Sequence, residues 1–184
     1  MNIDNSKLNR DLEKVFKVGS IFQIYLSDIN KFAYGLVIKK DGPFNLIAYI
    51  NSFTSGALDE EKIKEYVNQK NFCMIADSGI TGVVSGEWEK IAEVDNCIVS
   101  EKEIAQLEYV HARNGGVLRP NEWTYKKIIR DPMSGVMDGE TINLQEAKQI
   151  NNPCGSPGQG WIEGFLTYIA EGKTVVDYQM RRED

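Results

Sequence analysis

The stretch from residue 18 to residue 53 constrains the fold most, because its apolar residues fall into three short runs separated by turn residues. Such spacing is typical of successive antiparallel strands. The predicted strands cover residues 21–26, 32–39 and 46–51. The breaks between them are rich in Ser, Asp, Asn, Gly and Pro, which favour chain reversals. We therefore expect an antiparallel meander whose apolar face is covered by other elements, since a sheet of this size needs such a cover.

The middle run indicates that this sheet is curved. Bulky and small side chains alternate along it, with Phe32, Tyr34, Leu36 and Ile38 on one face and Ala33, Gly35, Val37 and Lys39 on the other. A glycine inside a strand usually marks a bulge, a bend or a close approach of another group. With bending at Gly19 and Gly35, the expected fold class is α+β. We expect a strongly curved, mainly antiparallel sheet with packed helices, forming a small half-open barrel of the SH3-like kind.

The remainder of the chain mixes helical and strand patterns. Helices are predicted over residues 2–16, 58–69, 101–110, 143–150 and 161–171. Ser100 with Glu103 and Asn143 with Glu146 have the spacing of a capping box, which marks a helix start. Strands are predicted over residues 72–76, 123–130 and 174–178. Residues 82–94 predict two further short strands about a turn, placing Trp88 where it closes the open side of the barrel.

Length and composition are those of an ordinary soluble domain. The 184 residues are 42% hydrophobic and 26% charged, which predicts a single domain over residues 1–184, with a core at 15–110 and an extension at 120–180. The N-terminal residues are polar, and no run approaches the roughly 18 apolar residues that cross a bilayer. We therefore expect a cytoplasmic protein without membrane association. The dispersed Cys73, Cys97 and Cys154 indicate reduced thiols, with no metal or other cofactor.

The negative charge is concentrated in the middle of the chain. Residues 57–108 contain twelve Asp and Glu against five Lys, a net charge of −7, whereas the rest of the chain sums to +1. An acidic segment disfavours binding to nucleic acid backbones and favours a basic protein partner. Solvated, solubilising faces are the alternative interpretation of the same charges.

Candidate chemical motifs are weak. The Gly-rich loop at residues 155–160 precedes a predicted helix and offers amides to an anion, but it lacks the pattern of a phosphate-binding loop, so turn geometry is preferred. Residues 131–140 superficially resemble a calcium loop without its ligand spacing, and a hairpin tip is the better interpretation. Nucleophilic catalysis requires the single His111 beside one of the cysteines. Tyr34, Trp88 and Trp161 are first of all packing residues.

Three segments carry a resemblance to a known family. The segment KVGSIFQIYLSDINKFAYGLVI, with Gly19 and the Tyr34–Gly35 pair, resembles the opening of the immunity protein 26 family of bacterial polymorphic toxin systems. Gly86 and Trp88 in SGEWEKIAEV are similar to that family's later Gly-x-Trp element. Residues 129–150, including Asp131, Ser134 and Gly135, resemble its C-terminal portion more loosely. The likeness covers residues 15–95 and, less closely, 125–170.

The resemblance implies a protein that binds a cognate toxin, has no catalytic residues and is not an enzyme. Many such toxins are nucleases with basic clefts, to which an acidic surface is steered electrostatically. We expect a monomer or homodimer that binds no nucleic acid. The candidate toxin-binding residues are Asp59, Glu60, Glu61, Glu87 and Glu89. Two alternatives stay open: a small-barrel module that binds peptides or nucleic acid, and an enzyme that uses the loop at residues 155–160.

Overall fold

The protein has an α+β fold with two antiparallel sheets. The computed structural model describes residues 16–41, 44–79, 81–95, 98–116, 119, 121–129 and 139–181. These residues form eight strands and six α-helices, and no closed barrel is found among them. The α+β class and the antiparallel pairing predicted from the sequence are confirmed.

The larger sheet contains the predicted meander. Its strands are β1 (Ser20–Leu26), β2 (Lys31–Asp41), β3 (Phe44–Ile50), β4 (Phe72–Asp77) and β5 (Trp88–Glu93), in the spatial order β4-β3-β2-β1-β5. A short 3₁₀ turn, Ser27–Ile29, joins β1 to β2, and Asn30 follows it with a left-handed φ of 52°. Asn tolerates this conformation better than most residues, which explains why the chain reverses there.

Both faces of β2, at the centre of the larger sheet, are buried. On one face, Tyr34 and Leu36 pack with Ile63 and Val67 of α1 (Glu60–Asn68). On the other face, Ala33 and Val37 belong to a core shared with the C-terminal helices and the second sheet. The alternation that the sequence predicted for β2 is therefore confirmed, and other elements cover both of its faces.

Gly35 allows a close approach from the neighbouring strand. A Cβ atom at this position would lie 3.0 Å from Ile47 Cγ2 and 3.3 Å from Tyr49 Cε1. The Tyr49 side chain is fully buried, so the ring fills the space that a larger residue in β2 would need. The pairing register also shifts between Val37 and Lys39, which is a local irregularity of the kind that bends a sheet.

The region before β5 differs from the prediction of two strands. Thr81–Ser85 forms a short helix, α2, and only Trp88–Glu93 is a strand. Gly82 lies against the buried Trp88 indole, where a Cβ would be 2.5 Å from Cδ2. The helical turn places this bare backbone over the ring, and that tertiary contact overrides the strand preference of Val83 and Val84.

The helix predicted over residues 101–110 is much shorter. Its capping box is present, because the Ser100 side chain accepts from the Glu103 amide while the Glu103 carboxylate accepts from the Ser100 amide. The helix α3 nevertheless covers only Glu101–Ile104, and Glu108–Asn114 is strand β6. Tyr109 and Val110 are completely buried in this strand, and such aromatic and β-branched residues suit a sheet.

The smaller sheet has the order β6-β7-β8. The prediction of a strand at residues 123–130 is confirmed by β7 (Trp123–Ile129), and β8 (Glu140–Ile142) pairs with it. The following helix α4 (Leu144–Ala147) begins with the predicted capping box at Asn143 but ends before Ile150. The predicted hairpin tip with Asp131, Ser134 and Gly135 lies outside the described residues, and so does the lead-in helix predicted at residues 2–16, except for Phe16.

Two helices end the described chain. The predicted helix at residues 161–171 is confirmed as α5 (Gln159–Ala170). The strand predicted at 174–178 is wrong, because Val175–Gln179 forms helix α6. Thr174 and Asp177 form a capping box, in which each side chain accepts from the other residue's backbone amide. This helix-start signal outweighs the strand preference of the two valines. The Tyr178 ring packs directly onto Gly164 of α5.

A short segment before α5 ties the two sheets together. The Asn152 side chain accepts from the Ile75 amide of β4 at 2.7 Å and donates to the Glu108 carbonyl of β6 at 2.9 Å. The Asn152 backbone carbonyl accepts from the Val110 amide, and the Cys154 amide donates to the Val110 carbonyl. The Ser156 hydroxyl donates to the buried Asp77 carboxylate. This segment therefore connects the two sheets, a role that the turn residues of the loop at 155–160 did not predict.

We expect Tyr34→Phe to lower the free energy of unfolding by about 1–2 kcal/mol. The Tyr34 hydroxyl accepts from the Leu58 amide at 2.7 Å, and its loss leaves that amide at the start of α1 without this partner. Tyr25→Phe is the control, because the Tyr25 hydroxyl bonds Asn30 on an exposed surface. Urea unfolding measures both variants. Equal losses would contradict the assigned role of the buried hydroxyl.

Candidate functional site

The first three candidate carboxylates lie at the start of α1. Asp59 is the N-cap, and its side chain accepts from the Lys62 amide at 2.8 Å. Glu60 forms an ion pair of 2.5 Å with Lys64 one turn later. Glu61 is exposed and has no ion-pair partner among the described residues. Asp59 and Glu60 therefore also have a local structural role, whereas Glu61 is fully available to a partner.

Glu89 lies on the same face of the larger sheet as the start of α1. It is directly opposite Gln23 of β1, and Gln23 is in turn opposite Tyr34 of β2. Residues in one such row point to the same face of a sheet. The Tyr34 hydroxyl accepts from the amide of Leu58, the residue immediately before Asp59. This row of side chains therefore reaches the start of α1. The exposed Glu89 carboxylate has no ion-pair partner among the described residues.

Glu87 is associated with a different part of the molecule. Its carboxylate accepts from Gln159 Nε2 at the start of α5. The same amide donates to Glu163 Oε1 at 2.9 Å, and Trp88 Nε1 donates to that oxygen at 2.9 Å. Glu87 therefore belongs with α5, on the other side of the larger sheet. The structure brings Asp59, Glu60 and Glu61 together, places Glu89 on their face, and separates Glu87 from them.

The charge of residues 57–108 is partly neutralised by lysines that the fold brings close. Lys70 pairs with Glu103 at 2.5 Å, and Lys39 pairs with Glu101 at 3.0 Å. Glu93 contacts two lysines, Lys17 and Lys90. Uncompensated negative charge is consequently more localised than the sequence indicates, and Glu61 and Glu89 carry part of it.

Structural roles are observed for four residues named in the resemblance: Gly19, Tyr34, Gly35 and Trp88. Gly19 joins two strands, because its amide donates to the Val37 carbonyl and its carbonyl accepts from the Val94 amide, both at 2.9 Å. Tyr34 and Trp88 are buried, with exposed fractions of 0% and 2%. Packing is therefore the observed role of both aromatic side chains, while Trp161 remains 44% exposed.

One cleft brings together the only histidine and the Gly-rich loop. It has a volume of about 360 Å³ and is lined by groups that include His111, Cys154, Ser156, Trp161 and Gln179. In the sequence, His111 and the loop are separate features, and no local signal places them together. The fold does so because Cys154 follows a segment that pairs in parallel with β6, the strand of His111.

The electrostatics of this cleft do not activate its thiol. Burial raises the pKa of Cys154, so the thiol form predominates at neutral pH. Burial also lowers the pKa of His111, with smaller effects from Arg113 and Lys126. No described carboxylate lines the cleft. Tyr34 does not line it either, because its side chain lies in the core between the larger sheet and α1.

We expect Cys154 to react with iodoacetamide more slowly at pH 7 than free N-acetylcysteine does. The raised pKa leaves less thiolate, and the rate should increase with pH beyond the ordinary range of a cysteine. Half-buried Cys73, whose pKa burial raises to about 12, should be slower still. Peptide mapping by mass spectrometry measures both rates. Rapid alkylation of Cys154 at pH 7 would contradict this description and favour a nucleophilic role.

Comparison with known proteins finds no matching family model, curated protein or solved structure. Among the described residues, no helix is long and apolar enough to span a membrane. Nor do the described ranges contain a group of three or more His, Cys, Asp or Glu side chains arranged to hold a metal ion.

Proposed function

We propose that this chain is a non-enzymatic immunity protein of a bacterial polymorphic toxin system. It binds a cognate toxin in the cytoplasm, in our proposal a nuclease, and neutralises it through an acidic surface. The observation that carries the proposal is the placement of Glu61 and Glu89, which are exposed on one face of the larger sheet without a neutralising lysine among the described residues.

Electrostatics supply the physical reason. A nuclease binds phosphates through a basic cleft, and exposed carboxylates attract such a cleft over several ångströms and raise the association rate. Glu61 and Glu89 are the centre of the proposed surface, with Asp59 and Glu60 beside them. Glu87 contributes from the other side of the sheet, where it lies next to Glu163.

The proposal also includes the curvature of the larger sheet. We interpret β1–β5 as a half-open barrel of the SH3-like kind, as the strand pattern and the expected bends at Gly19 and Gly35 predict. Register irregularities at residues 21–22, 37–39 and 49–50 support it, because each irregularity increases the local twist and bend of a strand.

One observation favours an enzyme as the second candidate. The His111–Cys154 cleft joins a histidine, a thiol and the loop before α5, a combination that occurs in nucleophilic catalysis. The raised pKa of Cys154 and the lowered pKa of His111 disfavour an ion pair between them. We therefore rank binding first, and the alkylation experiment above separates the two candidates.

Co-expression with the toxin encoded by the neighbouring open reading frame tests the proposed function. Bacteria that produce the toxin domain alone should stop growing, and growth should return when this chain is produced with it. An unrelated toxin with the same enzymatic activity is the control and should remain lethal. Continued growth arrest with the neighbouring toxin, at verified expression of this chain, would remove the proposal.

A further inference from the structure

A second cleft lies between α5, the turn after β1 and the end of α6. Its volume is about 370 Å³, and its lining includes Asp28, Glu163, Thr167, Tyr168 and Arg181. Gly160 and Gly164 also line it, and the Tyr178 ring covers the α5 backbone at Gly164. None of the candidate toxin-binding residues lines this cleft. Glu87 is linked to Glu163, because the Gln159 side-chain amide donates to both carboxylates.

The two carboxylates of the cleft retain accepting capacity. Glu163 Oε1 receives bonds from Trp88 Nε1 and Gln159 Nε2, which fix the orientation of the side chain. Glu163 Oε2 has no hydrogen-bond donor among the described residues. Asp28 is exposed and receives only a long bond of 3.5 Å from the Ser27 hydroxyl. Both groups therefore remain open to a donor that enters the cleft.

Thr167 provides an independent observation. Its side chain lines the cleft although the residue is only 9% exposed. Its hydroxyl has no hydrogen-bond partner among the described residues and is not among the buried polar atoms sealed from solvent. The hydroxyl therefore still reaches the cleft, where water or a ligand can form a hydrogen bond with it. The cleft thus presents a fixed polar group that a ligand would satisfy.

The single cation in the lining is already engaged. The Arg181 guanidinium carbon lies 3.4 Å from the centroid of the Tyr178 ring and 5.0 Å from that of Trp161. Arg181 Nη1 donates to the Tyr178 carbonyl at 3.0 Å. With two carboxylates against one guanidinium, the lining has a net charge of −1, and the free oxygens of Asp28, Glu163 and Thr167 can all accept a hydrogen bond.

We propose that this cleft binds the guanidinium group of an arginine side chain that a protein partner inserts. A guanidinium presents several donors in a rigid plane, which suits Glu163 Oε2, Asp28 and the Thr167 hydroxyl better than the single ammonium of lysine. The identity of the partner rests on the proposed function, in which a basic toxin is bound.

Titration with N-acetylarginine methylamide, followed by amide chemical shifts of the ¹⁵N-labelled full chain, tests this proposal. Shifts at residues 160–168 should saturate with a Kd of about 1 mM, which is reasonable for one side chain. The neutral isostere N-acetylcitrulline methylamide should bind at least about tenfold more weakly because it lacks the charge. Absence of shifts, or equal shifts with citrulline, would overturn the proposal.

Variants locate the site and separate it from the proposed function. Thr167→Val and Asp28→Asn, which preserve shape, should each raise the Kd several-fold, while Glu122→Gln, at an exposed carboxylate before β7 that does not line the cleft, should leave it unchanged. Equal weakening by Glu122→Gln would overturn the assignment to the cleft. Saturable arginine binding in a protein that fails the co-expression test would overturn the proposed function alone. Rescue of growth without arginine binding would overturn the cleft assignment alone.

Discussion

Replacing Gly19 by alanine should lower the free energy of unfolding by about 3 kcal/mol or more. The residue has a φ of +91°, which is costly for any residue with a Cβ. An added Cβ would also overlap the Val94 carbonyl oxygen, so the backbone of one strand end must move. That movement breaks the pair of 2.9 Å bonds that connect Gly19 to Val37 and Val94.

Gly86→Ala is the matched control for this substitution. Gly86 has a φ of +80°, but no atom lies within 4 Å of the position that its Cβ would occupy. Only the conformational strain remains, and the expected loss is about 1 kcal/mol. Urea unfolding of both variants measures the difference. Equal losses would show that the backbone contact at Gly19 contributes nothing beyond its φ angle.

Reversing the charge of Asp59, Glu60, Glu61, Glu87 and Glu89 should weaken toxin binding by well over about 2 kcal/mol, or more than about 30-fold in Kd. Loss of attraction slows association, and five new lysines repel a basic cleft. Surface plasmon resonance with the toxin domain measures both rate constants. Unchanged affinity would remove these residues from the binding surface.

A smaller set isolates the binding effect from stability. Asp59 caps α1 and Glu60 pairs with Lys64, so their replacement also weakens the helix. The double variant Glu61→Lys with Glu89→Lys avoids this and should still lose most of the association rate. Glu65→Lys, in the same helix, introduces the same charge at a residue that pairs with Lys62. A larger loss from Glu65→Lys than from the double variant would place the surface elsewhere on α1.

The strands of the larger sheet were predictable because their local signals agree. In β1 to β4, alternating apolar residues are bounded by turn residues, and tertiary packing reinforces that pattern. At Thr81–Ser85 and Val175–Gln179 the signals conflict, since valine pairs favour strands. There the Gly82–Trp88 contact and the Thr174 capping box decide the conformation. The Gly82–Trp88 contact depends on a residue outside Thr81–Ser85, so the propensities of that segment do not predict it.

The clefts were not predictable from the sequence for a similar reason. His111 and Cys154 are 43 positions apart, and Asp28 and Glu163 are 135 apart, so only the complete fold brings each pair together. Local charge density is the sequence signal that indicates the five candidate carboxylates. Ion pairs such as Lys70–Glu103 form across 33 positions, and they change which acids remain uncompensated.

The most direct measurement is a titration of the purified toxin's activity with this protein. If the chain acts by covering its target without making or breaking bonds, activity should fall linearly and vanish at one equivalent, with no dependence on incubation time. Active toxin should be recovered when the complex is dissociated. Complete inactivation by a small fraction of an equivalent, growing with time, would show that the chain modifies the toxin chemically and would contradict the account.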